Sequence, residues 1–152
     1  AMNDQNHVNT EHTYPRSLGV QQTPALADLH HLFPTDALAN GKRSSLPFGD
    51  VVDVLWEPTP PSGAKLGTDQ FGALVFEVPD AHKGDTARAL FYVAALYGLQ
   101  VPAAEERALR RWNENDAVDD VQRARNDAIA SVQENRNPFV DDASLIGRIR
   151  DF

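Results

Sequence analysis

Proline placement restricts the folding of this 152-residue chain more than any other feature. A proline ring has no N–H for a sheet ladder or a helix interior. Pro15 should close a strand over residues 8–14, Pro34 a strand over Leu29 to Phe33, and Pro79 a strand over Phe71 to Val78. Between the first two lies a polar loop, residues 17–27, with Gly19 and Pro24. Thr35 or Asp36 can cap a short helix reaching about Asn40, and Gly41 either ends it or strains it. Phe48 to Trp56 reads as a further strand with Val52, Val54 and Trp56 on one face, before the loop Thr59-Pro60-Pro61-Ser62-Gly63.

Beyond Pro79 the pattern changes to helical spacing. Ala87, Leu90, Phe91, Ala94, Ala95 and Tyr97 fall on a helix that begins at Asp85 or Thr86 and stops at Gly98. A second helix is expected from about Ala103 to Trp112. A third should run from about Ala117 to Gln133, with Val118, Val121, Ala124, Ile129 and Val132 as its buried stripe. The fold class is therefore α+β: strand, loop, strand and short helix first, then further short strands and about three packed helices. One domain over residues 1–152 is the simplest division, with residues 1–7 flexible. Ala1-Met2 reads as a cloning scar, which leaves open whether a leader or an upstream region has been left off or the chain is a minimal version.

Cysteine is absent, which excludes disulfides and thiolate metal sites but does not fix the compartment. No apolar run approaches the roughly 20 residues of a membrane span, and the first residues lack a signal-peptide core. The formal charge of −8 argues against a generic nucleic-acid binder. A small cationic cleft inside an acidic protein escapes that argument. Arg16, Lys42 and Arg43 lie near one another in sequence, whereas much of the acid comes later, from Glu105 to Asp142.

Three stretches concentrate the chemistry. Asn9-Thr10-Glu11-His12-Thr13-Tyr14-Pro15-Arg16-Ser17 precedes Asp28-Leu29-His30-His31-Leu32-Phe33-Pro34-Thr35-Asp36, and Ala39-Asn40-Gly41-Lys42-Arg43-Ser44-Ser45 follows. They supply a carboxylate, an imidazole, an amide and several cations. Hard cations such as Mg²⁺ take oxygen ligands and keep several waters, so one carboxylate and one amide suffice to hold one. A neutral histidine can deprotonate water, worth roughly 10²–10⁴-fold in rate. Spacing alone does not select this reading, because neighbours in a regular strand point to opposite faces.

These stretches occur in an order that resembles bacterial endonuclease I, the non-specific extracellular or periplasmic nucleases. Pro47-Phe48-Gly49, the run from Phe76 to Ala89 and Asn135-Arg136-Asn137-Pro138-Phe139-Val140-Asp141 extend the likeness over roughly residues 8–142. The resemblance implies a ββα-metal (His-Me finger) core and one Mg²⁺, with Mn²⁺ or Ca²⁺ able to occupy the site. It implies hydrolysis of DNA, and of RNA as a second substrate, leaving 5′-phosphates, in a secreted or periplasmic protein with no membrane partner. By the same resemblance His12 is the general base, and Glu11 and Asn40 are the metal ligands. Arg43 and Arg16 either hold phosphate oxygens or form ion pairs. Members of the family usually carry a sizeable segment ahead of the Glu-His block, where this chain has ten residues, and some carry disulfides. Two other settings fit the same residues: an interaction domain that keeps the fold without catalysis, and the nuclease end of a longer secreted effector.

Other polar residues are expected to be structural. His30 and His31 should lie packed or exposed on the second strand, and His82 in the loop before the long helix. Arg88 should pair with Asp85 or Glu77. Phe91, Tyr92 and Tyr97 should be core. Asn137 should bond a backbone near the site, and the acids from Asp116 to Asp120 should form a solvated helix start.

Overall fold

The computed structural model describes residues 8–59 and 61–152. The stretch expected to be flexible, residues 1–7, lies outside that set. Strand β1 (Val8–His12) pairs antiparallel with β2 (Leu32–Asp36), from Val8 opposite Asp36 to His12 opposite Leu32. Helix α1 (Ala37–Arg43) follows directly. Asp36 caps it by accepting from the Ala39 N–H at 2.9 Å. The helix continues through Gly41 and ends at Ser44, whose φ is 52°.

The second strand lies later than its β-prone residues suggest. Leu29–His31 forms a 3₁₀ turn, because the Asp28 carboxylate accepts from the His30 N–H and captures the backbone first. His30 and His31 are therefore on that turn and not on the strand, and both are buried. Pro34 lies inside β2, opposite Thr10, and does not end it. A two-strand sheet always leaves one edge of each strand unpaired, and a proline there removes no ladder bond.

A second sheet joins β3 (Asp53–Trp56), β4 (Lys65–Thr68) and β5 (Leu74–Glu77), all antiparallel. β3 is shorter than the apolar run from Phe48 to Trp56. Phe48 instead makes an isolated parallel bridge to Phe76, and Val52 and Val54 face outward at 62% and 49% exposure. β4 has no alternating apolar pattern to announce it. Gly67 is required within it, since a Cβ there would lie 2.2 Å from the Asp53 carbonyl oxygen.

The helices α2 (Lys83–Tyr97), α3 (Ala103–Asn115) and α4 (Asp120–Gln133) form the scaffold, with short α5 (Pro138–Asp141) and α6 (Leu145–Arg148) after them. α2 runs through the core and stops at Gly98 in the left-handed conformation, φ 65°. Leu90, Phe91 and Val93 on α2 pack with Leu109, Trp112, Phe139, Ile146 and Phe152. Tyr92 is buried in the same cluster, and Tyr97 packs against it.

α4 presents a different face from the expected stripe. Val121 and Val132 are 76% and 75% exposed, while Gln122, Asn126 and Ile129 are buried. The buried face is polar because it meets polar partners. Gln122 accepts from Arg88 Nε at 2.8 Å, and Asn126 donates to the Asn137 carbonyl and to Asp141. Arg88 lies 3.6 Å from Asp85 and bonds Asn113 and the Asp116 carbonyl, with no contact to Glu77. Asn137 bonds the Arg88 carbonyl in this scaffold, away from the β1–α1 residues, and caps α5. Asp116 is not merely solvated, for its carboxylate accepts from the Gly84 N–H at 2.8 Å.

Candidate active site

One groove of about 750 Å³ gathers Glu11, His12, Arg16, Asn40 and Arg43, together with Thr10, Gln21, Ser44 and Ser45. β1 supplies Glu11 and His12, α1 supplies Asn40 and Arg43, and a 3₁₀ turn over Arg16–Leu18 supplies Arg16. The expected residues thus share a single concavity. Neighbouring Glu11 and His12 both reach it because β1 ends at His12, where strict alternation stops.

Arg43 is the pivot. Its side chain is 2% exposed, and its guanidinium lies 4.2 Å from the Phe48 ring centre. Nη1 donates to Glu11 Oε1 at 2.7 Å and to the His12 carbonyl at 3.0 Å. Nη2 donates to the Thr13 carbonyl at 2.8 Å, and Nε to the Leu46 carbonyl at 3.1 Å. Most of its donors are therefore committed inside the protein, the ion-pair arrangement rather than a phosphate clamp. Arg16 is exposed and lines the groove. Lys42 stands apart, its ammonium 5.8 Å from the Trp56 ring centre.

Glu11 has one oxygen on Arg43, and among the described residues the other has no hydrogen-bond donor. Burial pushes its carboxyl above the ordinary value, and the Arg43 guanidinium pulls it back only in part. The guanidinium in turn is pulled down by burial and held up by Glu11. Asn40 donates from Nδ2 to the Thr10 carbonyl at 3.1 Å, which ties α1 to β1 and turns Oδ1 away from that bond. Glu11 and Asn40 thus offer the groove a carboxylate oxygen and an amide oxygen. Oxygen donors of this kind fit Mg²⁺ or Ca²⁺ and not a soft metal. Among the described residues no group of three or more His, Cys, Asp or Glu side chains could hold an ion, so any metal in the groove must rely on an amide and on water.

His12 is half-buried, and its Nε2 lies 3.1 Å from the Leu26 carbonyl oxygen. A carbonyl only accepts, so Nε2 carries the hydrogen and Nδ1 keeps the lone pair. Burial lowers its pKa, opposed by the Leu26 bond and assisted by the Arg16 charge. The ring is accordingly neutral at neutral pH. His31 stands edge-on to it with ring centres 5.4 Å apart and bonds the neighbouring carbonyl of Ala25 at 2.8 Å. No residue-type pattern points to the Leu26 carbonyl, because any side chain can sit above that backbone oxygen.

The model of the Endonuclease I family matches residues 1–144. The extracellular ribonuclease of Bacillus subtilis (strain 168) is 31% identical, covering 88% of this chain and 50% of that protein. The extracellular ribonuclease of Bacillus amyloliquefaciens is 33% identical with the same coverage, 88% and 50%. An extracellular deoxyribonuclease of Aeromonas hydrophila is 29% identical over 75% of this chain and 48% of its own length. The chain spans about half the length of the curated relatives it matches.

Proposed function

Because this chain belongs to the endonuclease I family, we propose that it is a metal-dependent endonuclease that hydrolyses phosphodiesters without sequence preference. The observation that carries the reading is His12, its Nε2 set 3.1 Å from the Leu26 carbonyl oxygen, sharing one groove with Glu11 and Asn40. His12 Nδ1 takes the proton of the attacking water. Arg16 holds a non-bridging phosphate oxygen, and Arg43 orients Glu11 instead of touching substrate. Glu11 and Asn40 would hold Mg²⁺, or Mn²⁺ or Ca²⁺ in its place, and such an ion would supply charge neutralisation at the phosphate and at the departing 3′ oxygen. The product carries a 5′-phosphate.

DNA is the proposed substrate and RNA the second. The matched relatives are named both ribonuclease and deoxyribonuclease, and a site built for phosphates reads no bases. Binding rests on few cations in a protein of net charge −8, so it should weaken steeply with salt. The extracellular and periplasmic names of the relatives support export. Among the described residues no helix is long and apolar enough to cross a membrane.

Supercoiled plasmid and single-stranded RNA, each incubated with Mg²⁺, test the proposal. Both should be cut, and EDTA should stop the reaction. His12→Ala should keep its fold and lose roughly 10²–10⁴-fold in turnover. Wild-type turnover by the folded variant, or cleavage that survives EDTA, refutes the mechanism.

A further inference from the structure

We propose that Asp28 is a positioning residue for His12, acting through the backbone turn on which the histidine rests; this builds on the catalytic reading above. Asp28 is a carboxylate at 3% exposure with no Lys, Arg or His ion pair among the described residues. Neutral donors satisfy it instead. Oδ1 accepts from the His30 N–H at 2.9 Å and Gln133 Nε2 at 2.8 Å, and Oδ2 accepts the hydroxyls of Tyr92 and Tyr97, each at 2.8 Å. Burying a carboxylate this way is unfavourable unless every lone pair is met. The scaffold here contributes three side chains from two long helices to meet them.

The location explains the arrangement. Asp28 ends the 3₁₀ turn Ala25–Ala27 and starts the turn Leu29–His31. The first turn offers two successive carbonyls to two imidazoles, Ala25 to His31 and Leu26 to His12. That turn belongs to neither sheet. α4 grips the second turn by Gln133 Oε1, which accepts from the Leu29 N–H at 2.8 Å, and by Arg125, which donates to the carbonyls of Leu29 and Leu32. Asp28 is where the grips of α2 and α4 converge on the loop. It fixes the height of the Leu26 oxygen and with it the tautomer and direction of the His12 ring. The side chain is distant in role from substrate and metal, so it tunes the base without touching the reaction.

Asp28→Asn keeps the shape and replaces one acceptor oxygen by a donor that faces other donors. Turnover by the full chain with Mg²⁺ should fall about 10- to 100-fold with KM changed by less than about twofold, since misplacing a base affects the chemical step. Nitrogen-15 NMR of the His12 ring should change from one tautomer to a mixture. Tyr97→Phe removes a single donor and should show the same two changes to a smaller extent, which decides the matter if Asp28→Asn does not fold. Wild-type kcat with an unchanged ring spectrum in a folded variant overturns the proposal. So does a fall in kcat with the ring spectrum unchanged, because that is a structural effect alone. If the wild-type chain cleaves nothing, the activity is refuted, and the His12 ring spectrum still decides whether Asp28 positions it.

Discussion

The finger made by β1, β2 and α1 and the centre of the scaffold, where α2 packs against α3, are held together by different forces. α2 buries apolar residues on nearly every side, including Leu90, Phe91 and Val93 at 1% exposure or less. The finger leaves Val8 and Leu38 at 78% and 52% exposure, and beside Phe33 it buries the charged Arg43. Apolar burial is non-directional and tolerates small shifts. Hydrogen bonds from a buried guanidinium to three carbonyls and a carboxylate do not. The finger thus exchanges robustness for a fixed geometry around Glu11 and His12, and the scaffold supplies the stability that the finger lacks.

Removing the finger's pivot is the most severe way to break this division. Arg43→Met leaves the Glu11 charge without its partner and the carbonyls of His12, Thr13 and Leu46 without a donor. Breaking a buried pair from one side costs about 3–5 kcal/mol. The urea midpoint should fall accordingly, and nuclease activity should be lost even where the chain remains folded. A folded, fully active variant would show that Arg43 does not orient Glu11.

Phe91→Ala should have a comparable effect on stability and none on chemistry. Phe91 is fully buried and stacks on Phe152 with ring centres 4.2 Å apart. Its truncation should cost about 3–5 kcal/mol. Well below its melting temperature the variant should cleave plasmid at the wild-type rate per folded molecule. A depressed kcat would mean that the scaffold and the finger are coupled through packing, contrary to the contrast drawn above.

Acid should act in two stages on the junction between the regions. Burial lowers the pKa of His30 and of His31, so the unfolded chain takes up their protons more readily than the folded one. Their contribution is fully present above the unfolded value of about 6.5 and declines as the pH falls below it. Asp28 responds lower. Burial pushes its carboxyl up, but the donors from Gln133, His30, Tyr97 and Tyr92 prevail and hold it below its ordinary 3.8. Its contribution is present above that value and is lost as the pH falls through the depressed one. Urea midpoints measured from pH 7 to pH 2 should decline in both windows, and Asp28→Asn should shrink the lower one, to which the depressed carboxyls of Asp50 and Asp141 also contribute. A lower window of unchanged size in Asp28→Asn would mean that Asp28 is not paired as described.

The same contrast explains what was legible in the sequence. α2 and its glycine stop follow from apolar spacing, because its packing is apolar. The Glu11, His12 and Asn40 neighbourhood is visible through its ordered motifs. Apolar spacing does not mark the buried face of α4, because Gln122 and Asn126 there meet polar partners on α2 and beside α5. β-Propensity points to a second strand earlier than the observed one, because the Asp28 carboxylate competes with the sheet for the His30 N–H. β4 carries no sequence signal, because a central strand of four residues containing Gly67 has too little alternation. The Leu26 oxygen that fixes His12 belongs to the backbone, which no residue type advertises.

Gly41 gives the finest adjustment of the comparison. It sits inside α1, one residue after Asn40 and two before Arg43. Its φ is not in the left-handed region, and a Cβ there would meet nothing within 4 Å. Alanine in a helix interior is more favourable than glycine by about 0.5–1 kcal/mol. Gly41→Ala should therefore raise the melting temperature by a small amount and leave the Asn40 bond to Thr10 in place. Cleavage of short duplexes should proceed at the wild-type rate if the glycine serves only the backbone. A stabilised variant with a raised KM would instead show that the nucleic acid lies against this turn of α1, making the bare backbone at Gly41 part of the binding groove rather than an unrecovered loss in the finger.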